Sequence, residues 1–363
     1  VAEKMTKTKF KETEIGKIPE EWTVLQFKEI LLGNIKHGIY KSKEFFNDKG
    51  VRLLKMGIQY SNNKIGPQEM ERVTVTNDEL NRFRVKEGDL IFSRTSMMTE
   101  GAGKCSIVVK HEDPIIFDGN LLCAELKQEI ANPEFYYYFF NSEIAQQEIS
   151  KITTGTQSRN IAGSNLMKAI IPCPNIPEQR MIAKNLSDLD SKIELNQAMN
   201  QNLETIAQAL FRHWFVDFEF PNVKGKPYKS SGGEMVESEL GKMPEGWKSG
   251  KIIDEFNLTM GQSPPGHSYN EDKNGFLFFQ GRSDFGFRYP TARMFCTMPT
   301  RFANEGDTLV SVRAPIGDVN MALEKCCIGR GLAAIKHKTG TRSYTYYLLK
   351  NLNTDFRNFE SEG

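Results

Sequence analysis

The chain contains two related copies of one sequence pattern, and this internal repeat constrains its fold more than any other feature. Residues 12–22 read ETEIGKIPEEW and residues 237–247 read ESELGKMPEGW, which are identical at seven of eleven positions. Further along, EGDLIFSR at 87–94 matches EGDTLVSVR at 305–313. Similar segments that recur in the same order are the signature of a duplicated structural unit. The sequence therefore predicts two modules that share one fold.

Two further pairs of similar segments extend the repeat toward the end of each copy. FDGNLLCAELK resembles IGRGLAAIK, which aligns Lys127 with Lys336, and FYYYFFN at 135–141 resembles YTYYLLK at 344–350. The spacing between matched segments differs in the two copies. Surface loops tolerate such differences in length better than the elements that they join. We therefore expect shared strands and helices with different loops.

Each copy combines strand signals with a helix signal. Short apolar runs follow Glu-Gly-Asp at 90–92 and at 309–310, which is typical of a turn that enters a strand. Asn132 and Pro133 suit the N-cap and the first residue of a helix that holds the aromatic segment. Both modules are therefore predicted to be α+β.

A long helix is predicted between the two copies, over residues 178–215, because no glycine or proline occurs from 178 to 220. Apolar side chains and two asparagines recur there at alternating spacings of four and three, the pattern of a coiled-coil seam. The seam residues are Ile182, Leu186, Leu189, Ile193, Asn196, Asn200, Leu203, Ala207, Leu210 and Trp214. Such a seam needs a second helix, from this chain or from the other copy in a homodimer.

Composition excludes several classes of protein. The 363 residues are enough for two domains, and the net charge of +1 leaves nucleic-acid binding open. The six cysteines form no CxxC pair and the five histidines no HxxxH pair, so neither a disulfide framework nor a metal site is predicted. Neither a signal peptide nor an apolar run of about 18 residues is present in this sequence. We expect a cytoplasmic location and no contact with a membrane.

Taken together, these motifs resemble the specificity subunit of Type I restriction–modification systems. The resemblance rests on IGKIPEEW and LGKMPEGW at the start of the modules, and on EGDLIFSR and EGDTLVSVR within them. It also rests on PNIPEQRMIAKNLSDLDSKIELN, which leads the long helix, and on TGTQSRNIAGSNLMKAIIPCP just before it. These segments occur in order and cover nearly the whole chain.

The resemblance implies a DNA-binding protein with no catalytic site and no cofactor of its own. Each module would be a target-recognition domain that reads one half of a split site in double-stranded DNA, and the long helix would set the distance between the halves. Two methyltransferase subunits would assemble on the chain and transfer methyl groups from S-adenosylmethionine, usually to adenine. ATP-dependent restriction subunits would join them for cleavage.

On this interpretation the fold is α+β, with two similar target-recognition modules in tandem, separated by a long coiled-coil-type α-helix. The predicted boundaries are 1–171 for the first target-recognition domain, 172–220 for the central spacer helix, 221–236 for a linker and 237–363 for the second target-recognition domain. The family normally has a second proline-led helix after the second module. No such segment follows here, so the second domain is expected to be truncated. Three explanations stay open: a fragment, a natural truncation, or one half of a homodimer.

Candidate DNA-contacting residues lie in polar loops of both modules. Sequence readout needs forked donors and amides at base edges, with lysine, arginine and backbone N–H groups at phosphates. The candidates are Arg94, Ser96, Lys104, Thr156, Gln157, Arg159 and Asn160 in the first module, and Gln262, Gln280, Arg282, Arg313 and Arg330 in the second. The alternative is that these residues form ordinary solvated turns.

The aromatic residues have structural and functional interpretations. The segment at 135–140 could stack on bases, as aromatic side chains do in single-strand binders, but its helical setting favours core packing. Trp22 and Trp247 stand at matching repeat positions. We expect both to be structural, because recognition surfaces should differ between the modules.

Two enzymatic interpretations are weaker. Asn-Pro-Glu-Phe at 132–135 resembles the methyltransferase motif Asn-Pro-Pro-aromatic, but glutamate replaces the second proline and no glycine-rich cofactor loop precedes it. Asp118, Glu125 and Lys127 resemble a metal-dependent nuclease signature, but the repeat alignment places Ala334 at the Glu125 position. The sequence also has no P-loop for ATP.

A non-DNA alternative is a coiled-coil scaffold that presents two protein-binding modules. The repeat and the long helix fit that alternative equally well. Only the family resemblance and the loops rich in arginine, glutamine and asparagine favour DNA.

Overall fold

The protein is described from a computed structural model that covers residues 9–96, 102–154, 159–313, 315–353 and 356, with the backbone alone for Ser96 and Arg159. The chain divides into two units, Val1–Asn196 and Gln197–Gly363. The boundary falls within one uninterrupted helix, so each unit includes part of that helix. Across the described ranges, no helix has the length and apolar character that crossing a membrane requires.

Within the residues that the structure describes, the first unit combines short strands with six helices, the last of which continues into the second unit. Its strands are β1 (Phe10–Thr13), β2 (Gly16–Pro19), β3 (Thr23–Gln26), β4 (Lys36–His37), β5 (Phe46–Leu54), β6 (Lys64–Ile65), β7 (Arg72–Val73), β8 (Leu90–Ser93), β9 (Thr95–Ser96), β10 (Cys105–Val108), β11 (Ile115–Phe117), β12 (Leu121–Ala124), β13 (Arg159–Asn160) and β14 (Ile170–Cys173). Its helices within the described residues are α1 (Met56–Ser61), α2 (Asn77–Phe83), α3 (Pro133–Phe140), α4 (Glu143–Ile152), α5 (Gly163–Leu166) and α6 (Ile176–Phe215).

The second unit repeats this mixture. Its strands are β15 (Met235–Ser238), β16 (Gly241–Pro244), β17 (Phe256–Met260), β18 (Tyr269–Asn270), β19 (Phe276–Phe279), β20 (Met294–Cys296), β21 (Phe302–Ala303), β22 (Thr308–Ser311), β23 (Val319–Met321), β24 (Cys326–Ile328) and β25 (Leu332–His337). Its further helices are α7 (Ile252–Glu255) and α8 (Arg342–Asn351), and short 3-10 turns occur in both units.

Both units are built around the same antiparallel arrangement of three strands. In the first unit β8 lies between β12 and β10, and in the second β22 lies between β25 and β23. A parallel pair accompanies each trio: β11 with β5 in the first unit, and β24 with β19 in the second. The prediction of two similar α+β modules separated by a long helix is therefore confirmed.

The predicted Glu-Gly-Asp turns lead into the central strands as expected. Gly88 and Gly306 adopt positive φ angles of 89° and 79°, a backbone conformation that favours glycine. In each turn the following aspartate, Asp89 or Asp307, is buried and accepts a hydrogen bond of 2.8 Å from the backbone amide three residues earlier. The turn thus closes on itself before the strand enters the core.

The strand register corrects one part of the repeat alignment. Ile91 lies opposite Cys123, and the matching residue Leu309 lies opposite Ala334. Ala334 therefore corresponds to Cys123, and the prediction that placed it at the Glu125 position is wrong by two residues. A shift of two preserves the alternation of inward and outward side chains, so the sequence pattern alone could not detect it.

The aromatic segment forms a core helix. The Asn132 side chain accepts a hydrogen bond of 2.9 Å from the Phe135 amide, and Pro133 is the first residue of α3, as predicted. Phe135, Tyr136 and Phe140 are buried against the central sheet. The base-stacking alternative is therefore wrong for this face of the helix.

The long helix α6 runs over Ile176–Phe215, which is 40 residues and roughly 60 Å. Asn175 caps it, because its side chain accepts a hydrogen bond of 2.9 Å from the Glu178 amide. Along the predicted seam, Leu189 and Leu203 are 58% and 61% exposed in the single chain. Most seam residues are thus exposed, with Asn196 and Asn200 between the apolar ones, whereas Ile182 packs against the core of the first unit. The partner helix stays a prediction.

Candidate nucleic-acid interface

Loops at one end of the second unit converge on the connection between β24 and β25. The amide of Gly261 donates to the Leu332 carbonyl at 2.9 Å, and the amide of Gln262 donates to the Ile328 carbonyl at 3.0 Å. These bonds hold the loop after β17 against the loop after β24. Backbone polar groups that must be paired thus fix the position of both loops.

Four of the predicted DNA-contacting residues lie at this connection: Gln262 and Arg330 in the two loops, Gln280 just after β19 and Arg313 just after β22. The Gln280 amide donates to the Ser263 hydroxyl at 3.0 Å, and the backbone amide of Arg330 donates to the same hydroxyl at 3.3 Å. Gln262, Arg313 and Arg330 are exposed, and Gln280 is half-buried. Residues far apart in sequence thus form one polar loop cluster.

Arg282 lies beside this cluster but is already paired. Its Nε donates to the Asp318 carboxylate at 2.5 Å, and the arginine side chain remains 58% exposed. Exposed ion pairs contribute only about 0–1 kcal/mol, so the pair holds Arg282 weakly.

In the first unit the predicted loop residues are joined by a short strand pair. Thr95 and Ser96 in β9 pair antiparallel with Asn160 and Arg159 in β13. The amide that follows β13 donates to the Arg94 carbonyl at 2.9 Å. Arg94, Ser96, Arg159 and Asn160 are therefore neighbours along the backbone ladder. The predicted Thr156 and Gln157 lie outside the described residues.

Lys104 differs from the other candidates. Its ammonium donates to the backbone carbonyl of Tyr60 and lies 5.9 Å from the centroid of the Tyr60 ring. Burial lowers the pKa of Lys104 below its usual value. An ammonium held in this way is committed to the protein framework, which favours a structural role over a phosphate contact.

The loop cluster also exists in the first unit, where the sequence interpretation missed two of its members. The amides of Gly38 and Ile39 donate to carbonyls in the β11–β12 segment at 3.4 and 2.9 Å, in the same pattern as in the second unit. Tyr40, which is 64% exposed, therefore corresponds to Ser263. The repeated glycine was the available signal, but a single shared residue is too short to align.

Lys55 is a second missed member. The Asp118 amide, just after β11, donates to the carbonyl of Leu54 at the end of β5 at 2.9 Å. In the same way, the Gly329 amide after β24 donates to the carbonyl of Phe279 at the end of β19 at 2.8 Å. The next residues, Lys55 and Gln280, therefore correspond. The Lys55 ammonium pairs with Glu71 at 2.7 Å and lies 4.4 Å from the Phe46 ring centroid.

The carboxylates that suggested a nuclease have other partners. Glu125 accepts hydrogen bonds from Lys86 at 2.6 Å and from Lys36 at 3.2 Å. The bond from Lys86 is the main reason why the pKa of Glu125 lies below its usual value. Asp118 accepts a 2.9 Å bond from the Asn120 amide. Within the described part of the chain, no group of three or more His, Cys, Asp or Glu residues is arranged to hold a metal ion.

The two repeated tryptophans sit in equivalent turns. The amide of Trp22 donates to the Pro19 carbonyl at 3.0 Å, and the amide of Trp247 donates to the Pro244 carbonyl at 3.1 Å. The Trp22 ring packs edge-on against Phe135 at 6.4 Å. The Trp247 ring stacks on Phe220 with the ring centroids 5.4 Å apart, so both tryptophans contribute to packing, as expected from their repeated positions.

Side chains attach the first unit to its part of α6. The Trp22 indole donates to Glu178 at 3.0 Å, and the Tyr138 hydroxyl donates to Asp190 at 2.7 Å. These bonds orient the beginning of the helix on the sheet that carries the loop cluster.

The second unit uses an equivalent tyrosine for its own part of the helix. The Tyr347 hydroxyl donates to Glu204 at 3.0 Å, and Lys350 and Arg288 contact the same carboxylate at 2.7 and 3.1 Å. Burial alone would raise the pKa of Glu204, but hydrogen bonds, chiefly from Lys350, outweigh it and lower that pKa.

Comparison with known proteins identifies the family to which this chain belongs. Residues 19–205 match the family described as the type I restriction modification DNA specificity domain. The chain is also 32% identical over 332 residues to the MjaX specificity subunit of a type I restriction enzyme of Methanocaldococcus jannaschii, covering 90% of this chain and 75% of that relative. The chain belongs to the type I restriction–modification DNA specificity family.

Other specificity subunits match shorter parts of the chain. The MjaIX subunit of the same organism is 30% identical over 71% of this chain and 57% of its own length. The HindI subunit of Haemophilus influenzae is 28% identical over 66% of this chain and 50% of its own length. The chain thus spans between half and three quarters of the length of these relatives.

A solved structure supports the fold. The S subunit of a type I restriction–modification system from M. genitalium superimposes with a TM-score of 0.54 at 16% identity. The superposition covers 94% of this family member and 79% of that subunit.

Proposed function

We propose that this chain is the sequence-reading subunit of a type I restriction–modification complex. Each unit reads one half of a bipartite site in double-stranded DNA, and α6 contributes to the spacing between the halves. The main observation in support of this proposal is that both units have the same loop framework but different exposed side chains on it. A protein that reads two different half-sites needs this combination.

The chemistry belongs to partner proteins. Two methyltransferase subunits assemble on the chain and supply the cofactor and the catalytic groups, and ATP-dependent restriction subunits add cleavage. The chain itself acts in the cytoplasm as a non-catalytic adaptor. The names of the relatives, all specificity subunits of type I restriction enzymes, support this division of labour.

The exposed seam of α6 supports pairing with a second helix. Seam residues such as Ile193 and Leu210 are 54% and 44% exposed, so a partner helix would bury them. A second copy of this chain would supply such a helix. Light scattering of the purified chain tests this: a dimer that dissociates in an Ile193→Lys, Leu203→Lys variant supports pairing through the seam. A chain that is monomeric over the same concentrations contradicts it.

Methylation of genomic DNA tests the function. The chain is expressed with its methyltransferase partner, and the methylated bases are mapped by sequencing. We expect one bipartite motif, absent when the chain is omitted, and no methylation by the chain alone. Methylation that persists without the chain, or that carries no sequence motif, contradicts the proposal. DNA binding by the assembled complex should also weaken steeply as salt rises.

The alternative of a protein-binding scaffold is not favoured, because the relatives are named as specificity subunits. It makes a distinct expectation: omission of the chain would leave the methylated sequence unchanged.

A further inference from the structure

The two loop clusters share a close backbone contact that makes their positions directly comparable. A Cβ atom added to Gly38 would lie 2.2 Å from the Asp118 carbonyl oxygen, and one added to Gly261 would lie 2.1 Å from the Gly329 carbonyl oxygen. Both distances are far below van der Waals contact. The same pair of loops therefore meets in the same way in each unit, and only glycine allows the contact.

At one pair of facing positions on this common framework, the two units have the large and the small residue on opposite loops. In the first unit Tyr40 lies over Gly119, because a Cβ added at Gly119 would come within 2.3 Å of the Tyr40 ring. The hydrogen-bond pattern matches Tyr40 to Ser263 and Gly119 to Arg330. The first unit thus places a large side chain on one loop, and the second unit places it on the facing loop.

Among the described residues, no strong polar partner holds either large side chain. Tyr40 is 64% exposed, and the one hydrogen bond of its hydroxyl within the described part of the chain is a long one, 3.5 Å to the Asn120 side chain. Arg330 is exposed, and within the described residues its guanidinium has no hydrogen bond or ion pair, although its backbone amide donates to Ser263. Both side chains therefore remain available to a ligand.

We propose that this exchanged pair is a base-reading position in each unit: Arg330 recognises a guanine in one half-site, and Tyr40 replaces that readout in the other. The inference rests on the proposed function. An arginine fork matches the O6 and N7 acceptors of guanine in the major groove, whereas an aromatic ring offers apolar contact, such as with the thymine methyl group. The two units therefore discriminate different bases with the same framework.

The first experiment changes Arg330 in the full chain, in complex with its methyltransferase subunit. Arg330→Ala and Arg330→Lys are assayed for methylation on a library of DNA sites. We expect Arg330→Ala to lose the preference for guanine at one position of one half-site by roughly ten- to a hundredfold. Arg330→Lys should lose only part of that preference, because lysine keeps the charge but lacks the fork. The other half-site should keep its sequence. An unchanged preference in both variants overturns the inference.

The second experiment transfers the readout. The double variant Tyr40→Ser, Gly119→Arg rebuilds the second unit's pair in the first unit and conserves the fit, since the ring that would collide with the new side chain is removed. We expect a guanine preference to appear at one position of the first unit's half-site. A double variant that methylates the original sequence overturns the inference.

A matched control separates this position from a general effect of added charge. Gly33→Arg makes the same substitution where an added Cβ has no atom within 4 Å. It lies near the opposite end of β12, since the adjacent Leu32 amide donates to the Glu125 carbonyl. This variant should keep the original motif, and a motif that changes as in the double variant overturns the inference. If the unmodified complex marks no bipartite motif at all, the proposed function itself fails.

Discussion

At the scale of single residues, Gly38 and Gly261 show why a loop framework can persist while its side chains change. Each glycine lets one backbone approach the carbonyl of a neighbouring loop, with room for no Cβ atom. Adjacent residues such as Tyr40 and Ser263 are not part of that contact. The side chain at position 40 or 263 can therefore change while this close backbone contact is kept, although the Ser263 hydroxyl also accepts a hydrogen bond from the Arg330 amide.

The steric role of Gly38 leads to a stability prediction. Gly38→Ala should lower the free energy of unfolding by about 1–3 kcal/mol, because the added methyl group overlaps a backbone oxygen that cannot move freely. Urea unfolding measures the change. Gly57→Ala is the control: Gly57 is in helix α1 with no atom near an added Cβ, so this variant should be as stable or up to about 1 kcal/mol more stable. Equal effects of both substitutions would contradict the argument.

Asp89 gives a prediction about pH. Burial raises its pKa from 3.8 to about 6, against the hydrogen bond from the Lys86 amide, which lowers it. The folded state therefore favours the protonated acid. The stability that this provides is fully present below the unfolded pKa and is lost as the pH rises through about 6.

The test compares the wild-type chain with Asp89→Asn by urea unfolding between pH 4 and pH 7. Relative to the variant, which cannot titrate at this position, the wild type should lose about 1–3 kcal/mol across that interval. Asparagine keeps an oxygen acceptor for the Lys86 amide, so the turn itself is preserved. Parallel pH curves for the two proteins would show that Asp89 is ionised throughout.

At the scale of elements, α6 carries one carboxylate in each unit whose surroundings differ. Glu204 is buried and accepts hydrogen bonds from Lys350, Tyr347 and Arg288, whereas Glu194 forms an exposed pair with Lys64. A buried carboxylate that loses its charge leaves its cationic partners uncompensated, and an exposed one does not. The same helix thus offers a matched comparison.

Glu204→Gln should therefore destabilise the chain by about 1–3 kcal/mol, a value reduced from that of a fully buried pair because Lys350 and Arg288 are partly exposed. Glu194→Gln should cost less than about 1 kcal/mol. Denaturant unfolding measures both, and hydrogen exchange along residues 197–215 reports whether the helix loosens from its unit. Equal costs would show that burial does not decide the strength of this attachment.

At the scale of the whole molecule, the continuous helix predicts how the DNA spacer responds to its length. Four residues inserted between Asn196 and Asn200 lengthen the helix by about 6 Å, close to two base pairs at roughly 3.4 Å each. The methylated motif should keep both half-sequences and gain one or two base pairs of spacer, provided that the partner helix is lengthened as well. Methylome sequencing measures the motif.

The control insertion places the same four residues in the exposed loop at 223–225, outside the helix. This insertion should leave the spacer unchanged. A spacer that stays constant when α6 is lengthened, or the loss of one half-site, would show that the helix only supports the two units and does not set the spacer length.

The amino-acid sequence by itself determined the features that depend on neighbours along the chain. The duplicated unit, the glycine turn at Gly88, the cap at Asn132 and the long helix were all predicted, because propensities and periodicity act over a few residues. The family followed from the same motifs. The structure confirms each of these elements within the described residues.

Only the tertiary structure decided which distant residues meet. The two-residue shift of β25 keeps the pattern of inward side chains, so hydrogen bonds to β22 had to set its register. Backbone hydrogen bonds to remote loops show that Tyr40 and Lys55 belong to the candidate site. The Lys104 ammonium donates to the Tyr60 carbonyl. Such contacts depend on packing between segments far apart in sequence, and local sequence patterns carry no information about them.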